Sequence, residues 1–246
     1  MSTFFLVLGL SLLGGLGGLL VASGVLLIKD PARTRLIPWL VSYAVGALLG
    51  ASMLEILPKT LETLPPSEVF ATLLLGILLF FVLEKLVLWR HCHTHDCEVH
   101  DASVLPVVIG DGFHNFVDGA VIAAAAMTSL PLGISTALAV TAHEIPQEVG
   151  DFAILLHAGY SRQKALMLNV LSALASVVGA IVAFFAFDRI PGLLPYFLAL
   201  SAASFLYVAM ADLIPGLHRG RTDASSLRQI LLVGAGVVTT YVAAGL

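Results

Sequence analysis

An all-α bundle of eight membrane-spanning helices is the fold this sequence predicts, and three observations predict it. The first is composition: of 246 residues, 59% are hydrophobic and 11% charged, with a mean hydropathy of +0.99. A soluble domain is nearer half apolar and a quarter charged. The second is that the apolar residues fall into runs of the roughly 20 residues that cross a hydrocarbon core. The third is that Lys and Arg fall almost entirely on one side of such a bundle. The net charge of −4 says little about partners, because charge in a polytopic protein acts loop by loop. No feature asks for nucleic acid.

The elements follow in order. The first run, Phe4 to Ile28, has no basic segment before it and is too long for the apolar stretch of a signal peptide, so 3–28 is read as the first spanning helix. Its glycines, Gly9, Gly14, Gly15, Gly17 and Gly18, permit close helix contact, sliding or static. Turn residues at Lys29-Asp30-Pro31 set off the second segment, 36–58, and Leu64-Pro65-Pro66-Ser67 the third, 68–90. A connection as short as Thr128 to Pro131 makes the fourth (102–127) and fifth (131–158) antiparallel neighbours. The sixth (164–187) ends before Arg189-Ile190-Pro191, the seventh covers 190–214, and the polar run 218–226 precedes the eighth, 227–246. The chain 1–246 therefore reads as a single transmembrane domain with one elaborate loop, 91–101.

With both termini outside, the cytoplasmic loops and flanks collect Lys29, Arg33, Arg35, Lys85, Arg90, Arg162, Lys164, Arg219, Arg221 and Arg228, ten basic residues against Lys59 and Arg189 on the outer side. That asymmetry predicts both termini on the extracytoplasmic side, and the plasma (inner) membrane is the expected location. The halves of the chain also echo each other. Segment two contains 53-MLEILP-58 and segment seven 210-MADLIP-215, each with an acid three residues before proline. Five crossings separate them, so helices 1–3 and 6–8 form an inverted repeat, an arrangement that places a substrate site near the midplane between the copies.

Polar chemistry is concentrated on helices four and five. At about 100° per residue, Asp111, His114, Asn115 and Asp118 fall within an arc of about 100° on helix four. His143, Glu144, Gln147, Glu148 and Asp151 fall within about 140° on helix five. Asp111, Asp118, Glu144, Glu148 and Asp151, deep and unpaired, would cost on the order of 10 kcal/mol in a bilayer. Neither span contains Lys or Arg, so a divalent cation or protons must compensate them. Two i, i+4 pairs, His114 with Asp118 and His143 with Gln147, each set two donor atoms one turn apart on one face. Imidazole with carboxylate suits zinc, iron and related ions better than magnesium or calcium. Pro146 cannot donate to the carbonyl of Ala142 and opens the helix beside His143.

The stretches 114-HNFVDG-119 and 143-HEIPQEVGD-151 resemble the signature helices of the ZIP (Zrt/Irt-like) divalent metal transporters, in the branch that reads H-N-x-x-D-G and H-E-x-P-H-E-x-G-D. The resemblance implies a 3+2+3 helix arrangement and uptake of Zn²⁺, with Fe²⁺, Mn²⁺ or Cd²⁺ also carried, into the cytoplasm. It implies no enzyme activity, no organic cofactor, and a homodimer. It also implies an elevator-like motion of helices one, four, five and six against two, three, seven and eight. Carried over, the first metal position matches His114, Asp118, His143 and Gln147, and the second Asn115, Asp118, Glu144 and Asn169. Asp111, Glu148, Asp151, Asn169 and Met53 stand as second-site or pathway residues. Gln147 departs from the family's His or Glu. A neutral amide oxygen is a weaker ligand and bridges no pair of cations, so one well-formed site is expected.

The loop 91-HCHTHDCEVH-100 offers His91, Cys92, His93, His95, Cys97 and His100 as metal donors. In the cytoplasm its thiols stay reduced, and it reads as a metal-collecting or sensing segment. Glu55, Asp212, Ser52 and Met53 belong to an entrance or exit path, or else the two acids cap or pair at helix ends and Met53 is lipid- or core-facing filler; both readings stand. His157 either guides exit or favours the negative end of helix five. A zinc hydrolase with Glu144 as base would need a histidine at Gln147. A membrane metal sensor or receptor is the other alternative, but polar groups through the depth of helices four and five describe a path more than a socket.

Overall fold

The structure, a computed structural model, describes residues 2–28, 30–91, 104–190, 192–218 and 224–243. Among these residues all regular structure is helical, in eight rods. α1 is Ser2–Leu26. α2 covers 30–61 as Asp30–Gly50, a π-helical stretch Ala51–Ile56, and Leu57–Leu61. α3 is Pro66–His91, α4 Val104–Thr128 and α5 Leu130–His157. α6 covers 162–189 as Arg162–Ala173 and Ala175–Arg189, interrupted at Leu174. α7 covers 193–218 as Leu193–Tyr207, a second π-helical stretch Val208–Leu213, and Ile214–His218. α8 is Ala224–Ala243.

Each predicted segment has its rod, displaced at the ends by a few residues. The widest displacement is at the start of α2, which begins at Asp30 where the sequence reading begins the helix at 36. Pro31 there sits in the first turn, where its missing N–H has no intrahelical partner in any case. α5 is bounded by local chemistry at both ends. Ser129 precedes it in extended conformation and its side chain accepts from the Leu132 amide, with Pro131 in the first turn. At its C-terminus Gly159 adopts φ +83°, the Gly159 amide donates to the Leu156 carbonyl, and the Tyr160 amide donates to the Leu155 carbonyl. This is the paired closure that a left-handed glycine permits after a helix. α5 stays helical through Pro146.

Burial is inside out relative to a soluble protein. Leu20, Leu75, Leu171, Leu227 and Val242 are exposed, while Asp118, His143, Glu144 and Glu148 are enclosed, the distribution a hydrocarbon solvent selects. Five described stretches are long and apolar enough to cross a membrane: Thr3–Leu26, Arg35–Leu61, Arg162–Arg189, Leu193–Leu217 and Ser226–Ala243. α3 contributes a shorter described apolar stretch, Pro66–Val82. α4 and α5 are diluted by the acids, histidines and amides they turn inward.

The packing has a twofold exchange in it. α1 packs on α5 as α6 packs on α4, and α2 packs on α8 as α7 packs on α3. The two π-helical stretches occupy equivalent places, each beginning two residues before the methionine and ending two residues before the proline of the repeated sequence. Glycine sets the closest approaches. A Cβ on Gly119 of α4 would fall on the Ser176 carbonyl of α6, and one on Gly179 of α6 on the Phe116 carbonyl of α4. Gly46 of α2 and Gly236 of α8 are pressed against each other's backbones in the same manner.

Candidate metal centre

α4 and α5 lie in the interior of the bundle, packed on α1, α2, α6 and α7, with their polar faces toward each other. Four side chains converge between them. The two ring nitrogens His114 Nε2 and His143 Nε2 are 3.1 Å apart. His143 Nε2 is 3.1 Å from Asp118 Oδ2 and 3.6 Å from Glu144 Oε1. His114 Nε2 is 3.5 Å from Asp118 Oδ2 and 3.6 Å from Glu144 Oε1. A tetrahedral zinc ion with N and O ligands at ordinary bond lengths would hold its donors about 3.3–3.4 Å apart. The five separations bracket that edge, and all four donor atoms lie within 4.8 Å of one another.

Charge and protonation fit the same chemistry. Two carboxylates meet two imidazoles, a formal charge of −2 if both rings are neutral, with side chains 0–2% exposed at His143, Asp118 and Glu144 and 22% at His114. His143 Nδ1 lies 3.1 Å from the Ala139 carbonyl. A carbonyl can only accept, so Nδ1 carries a proton, and in the neutral ring Nε2 then presents its lone pair to the cluster. No hydrogen bond reaches either oxygen of Asp118 or of Glu144. Four buried carboxylate oxygens without donors are a large uncompensated cost, and a divalent cation among them removes it. Phe205 of α7 packs its ring 6.2 Å from that of His143, and Gly18 of α1 leaves room for the Glu144 Cβ, which a methyl there would meet at 2.6 Å.

Not every residue singled out in the sequence joins this group. Gln147 donates from Nε2 to Asp111 Oδ1 at 3.3 Å, and Asn115 donates to the same oxygen at 3.0 Å. Asp111 is thus a hub for the two amides, one turn along from the four-donor cluster, with Asn115 Oδ1 left free and buried. Glu148 is fully buried with both oxygens unpartnered, and Asn169 of α6 donates to its backbone carbonyl at 3.5 Å. Asp151 is half-buried on the same side, and Met53 is exposed on α2. His91 ends α3, and its side chain, the rest of the loop to 101, and the side chains of His157 and Asp212 lie outside the described residues. Two contributions carried no sequence signal: the Ala139 carbonyl, available because a histidine four residues on can reach it, and the hydrogen bond from Ser135 of α5 to Glu55 of α2.

Comparison with known proteins shows the family. The ZIP zinc transporter signature matches residues 89–244. Zinc transporter ZIP13 of Pongo abelii is 31% identical over 227 residues, 86% of this chain and 68% of that protein. Zinc transporter ZIP4 of Homo sapiens is 44% identical over 115 residues, 47% of this chain and 18% of that one. Zinc transporter ZIP10 of Danio rerio is 40% identical over 132 residues, 52% of this chain, and the match spans only 16% of its length. An all-helical integral membrane protein with its polar residues gathered on two central helices, matched by that signature over more than half its length, this chain belongs to the ZIP zinc transporter family.

Proposed function

We propose that this protein carries divalent transition-metal ions, zinc first among them, across a membrane and into the cytoplasm through the cluster of His114, Asp118, His143 and Glu144. One observation carries the reading: two imidazole nitrogens and two carboxylate oxygens stand at tetrahedral-zinc separations, buried, with no Lys or Arg ion pair among the described residues to neutralise them. Asn115, Asp118 and Glu144, with Asn169 nearby, are the residues for a second ion, and Asp111 of α4 with Glu148 and Asp151 of α5 continue the polar path. Gln147, engaged with Asp111, offers no carboxylate to bridge two ions, and Asn169 leaves the second position short of a charged ligand. Fe²⁺, Mn²⁺ and Cd²⁺ suit the same donors.

Eight spans, both termini outside the plasma membrane, and an elevator-like motion of α1, α4, α5 and α6 against the other four complete the proposal. The twofold exchange in the packing supports an alternating-access motion. The loop 91–101, with His91, Cys92, His93, His95, Cys97 and His100, collects released metal on the cytoplasmic side, and a homodimer is the assembly. The test is uptake by purified protein in liposomes loaded with a zinc-sensing dye. Wild type should report zinc entry and His143→Ala should abolish it. Zinc binding without flux under any gradient would instead make the protein a sensor.

A further inference from the structure

The cluster and the polar path beside it take in the acids of α4 and α5, but the buried acid of α2 belongs to neither. Glu55 sits on α2 and is 4% exposed. One of its oxygens accepts the hydroxyl of Ser135 on α5, and the other has no partner. No ion pair among the described residues reaches it. The sequence left Glu55 as either a pathway residue or an acid that caps or pairs at a helix end. The structure removes the second reading, because α2 continues past Glu55 to Leu61 and the side chain points into the bundle.

Position gives the carboxylate a use. Ser135, Ala139 and His143 follow one another at intervals of four on one face of α5, so Ser135 stands about 12 Å along the helix from the metal cluster. It lies toward the Leu130 end of α5, opposite to Glu148 and Asp151. Ala51, Ala139 and Ala202 are fully buried around that interval, and Ser52, one turn from Glu55, donates to the Ala202 carbonyl of α7 at 3.4 Å. The Ala51–Ile56 stretch is π-helical, a local rewinding that turns a side chain off the regular register and recurs at functional sites.

We propose that Glu55, with the Ser135 hydroxyl, is an outer cation-binding station that receives a partly hydrated divalent ion before it reaches the histidine cluster. This rests on the transport reading given above. A carboxylate and a hydroxyl form an oxygen-only, incomplete shell, so the ion keeps some water and is held weakly, as a waypoint requires. While the station is empty the Ser135 hydrogen bond holds the carboxylate and ties α2 to α5; an arriving cation takes the free oxygen and then the serine oxygen.

The experiment measures initial zinc uptake against external zinc in liposomes for wild type, Glu55→Gln, Glu55→Asp and Ser135→Ala, beside equilibrium zinc binding and thermal unfolding of each protein in detergent. Glu55→Gln should raise the half-saturating zinc concentration about tenfold or more while zinc binding at the cluster stays within twofold of wild type. Glu55→Asp should restore much of the loss, and Ser135→Ala should shift half-saturation the same way by a smaller factor. An unchanged half-saturation in a Glu55→Gln protein that unfolds near the wild-type temperature overturns the station, as does a lowered maximal rate alone. If Glu55→Gln does not fold, Ser135→Ala carries the test, and an unchanged half-saturation there overturns it. Absence of flux in a wild type that binds zinc brings down the transport reading itself, an outcome distinct from flux indifferent to Glu55.

Discussion

Asp118 and Glu144 bring the negative charge of the cluster, and their oxygens lack hydrogen-bond donors, so the proposed cation would be their principal compensation. Replacing Asp118 by asparagine keeps the shape and removes one charge. Even changes one shell out from a metal commonly cost 10–100-fold in affinity, so Asp118→Asn should weaken zinc binding by at least about tenfold in a titration against a chelator dye. Undiminished affinity would mean the ion sits elsewhere. Gln147→His should tighten binding and slow turnover by placing a third imidazole near the cluster; faster uptake would contradict the moderating role of the amide. The spacing of His114, Asp118 and His143 made them legible as donors on facing helices. The exchange of Glu144 for Gln147 in the group was not legible. Both lie on the same broad arc of α5, and which one turns toward His114 depends on an acceptor on α4, Asp111, and on the gap that Gly18 of α1 leaves beside Glu144.

Helices in this bundle meet where glycine lets backbones touch, which makes α4 and α6 vulnerable as a pair. A methyl at Gly119 or Gly179 lands on the other helix's carbonyl, and backbone cannot step aside as a side-chain end can. Overpacking of this kind costs about 1–3 kcal/mol. Gly119→Ala should therefore lower the unfolding temperature in detergent, whereas Gly110→Ala on the same helix, with nothing within 4 Å of its new methyl, should hold or raise it, since alanine is the better helix former. Equal effects at the two positions would refute the close approach. Hydropathy and turn residues marked out all eight rods. They did not reveal the π-helical stretches or the break at Leu174, because an added residue in a turn changes hydrogen bonding without changing composition. The internal echo around Glu55 and Asp212 marked the places where the windings change, though not the change itself.

At the scale of the molecule, the chain supplies its own reporter of orientation. Its two cysteines, Cys92 and Cys97, both belong to the loop assigned to the cytoplasm. In right-side-out vesicles a membrane-impermeant maleimide should label them only after permeabilisation. A Ser67→Cys variant lacking both native cysteines should label at once, because Ser67 is exposed in the first turn of α3 on the assigned outer side. The reverse pattern would invert the topology.

The exchange that maps α1 on α6, α2 on α7, α3 on α8 and α4 on α5 also bears on direction. Two halves built on one plan and set head to tail have no intrinsic up or down. Were their sequences identical, presenting the cluster to either face of the membrane would leave the energy unchanged, and the protein would act as a symmetric shuttle obeying only the gradient. Any preferred resting posture must then come from the places where the halves disagree, such as Glu55 against Asp212. Its direction of rest is written in its broken symmetry.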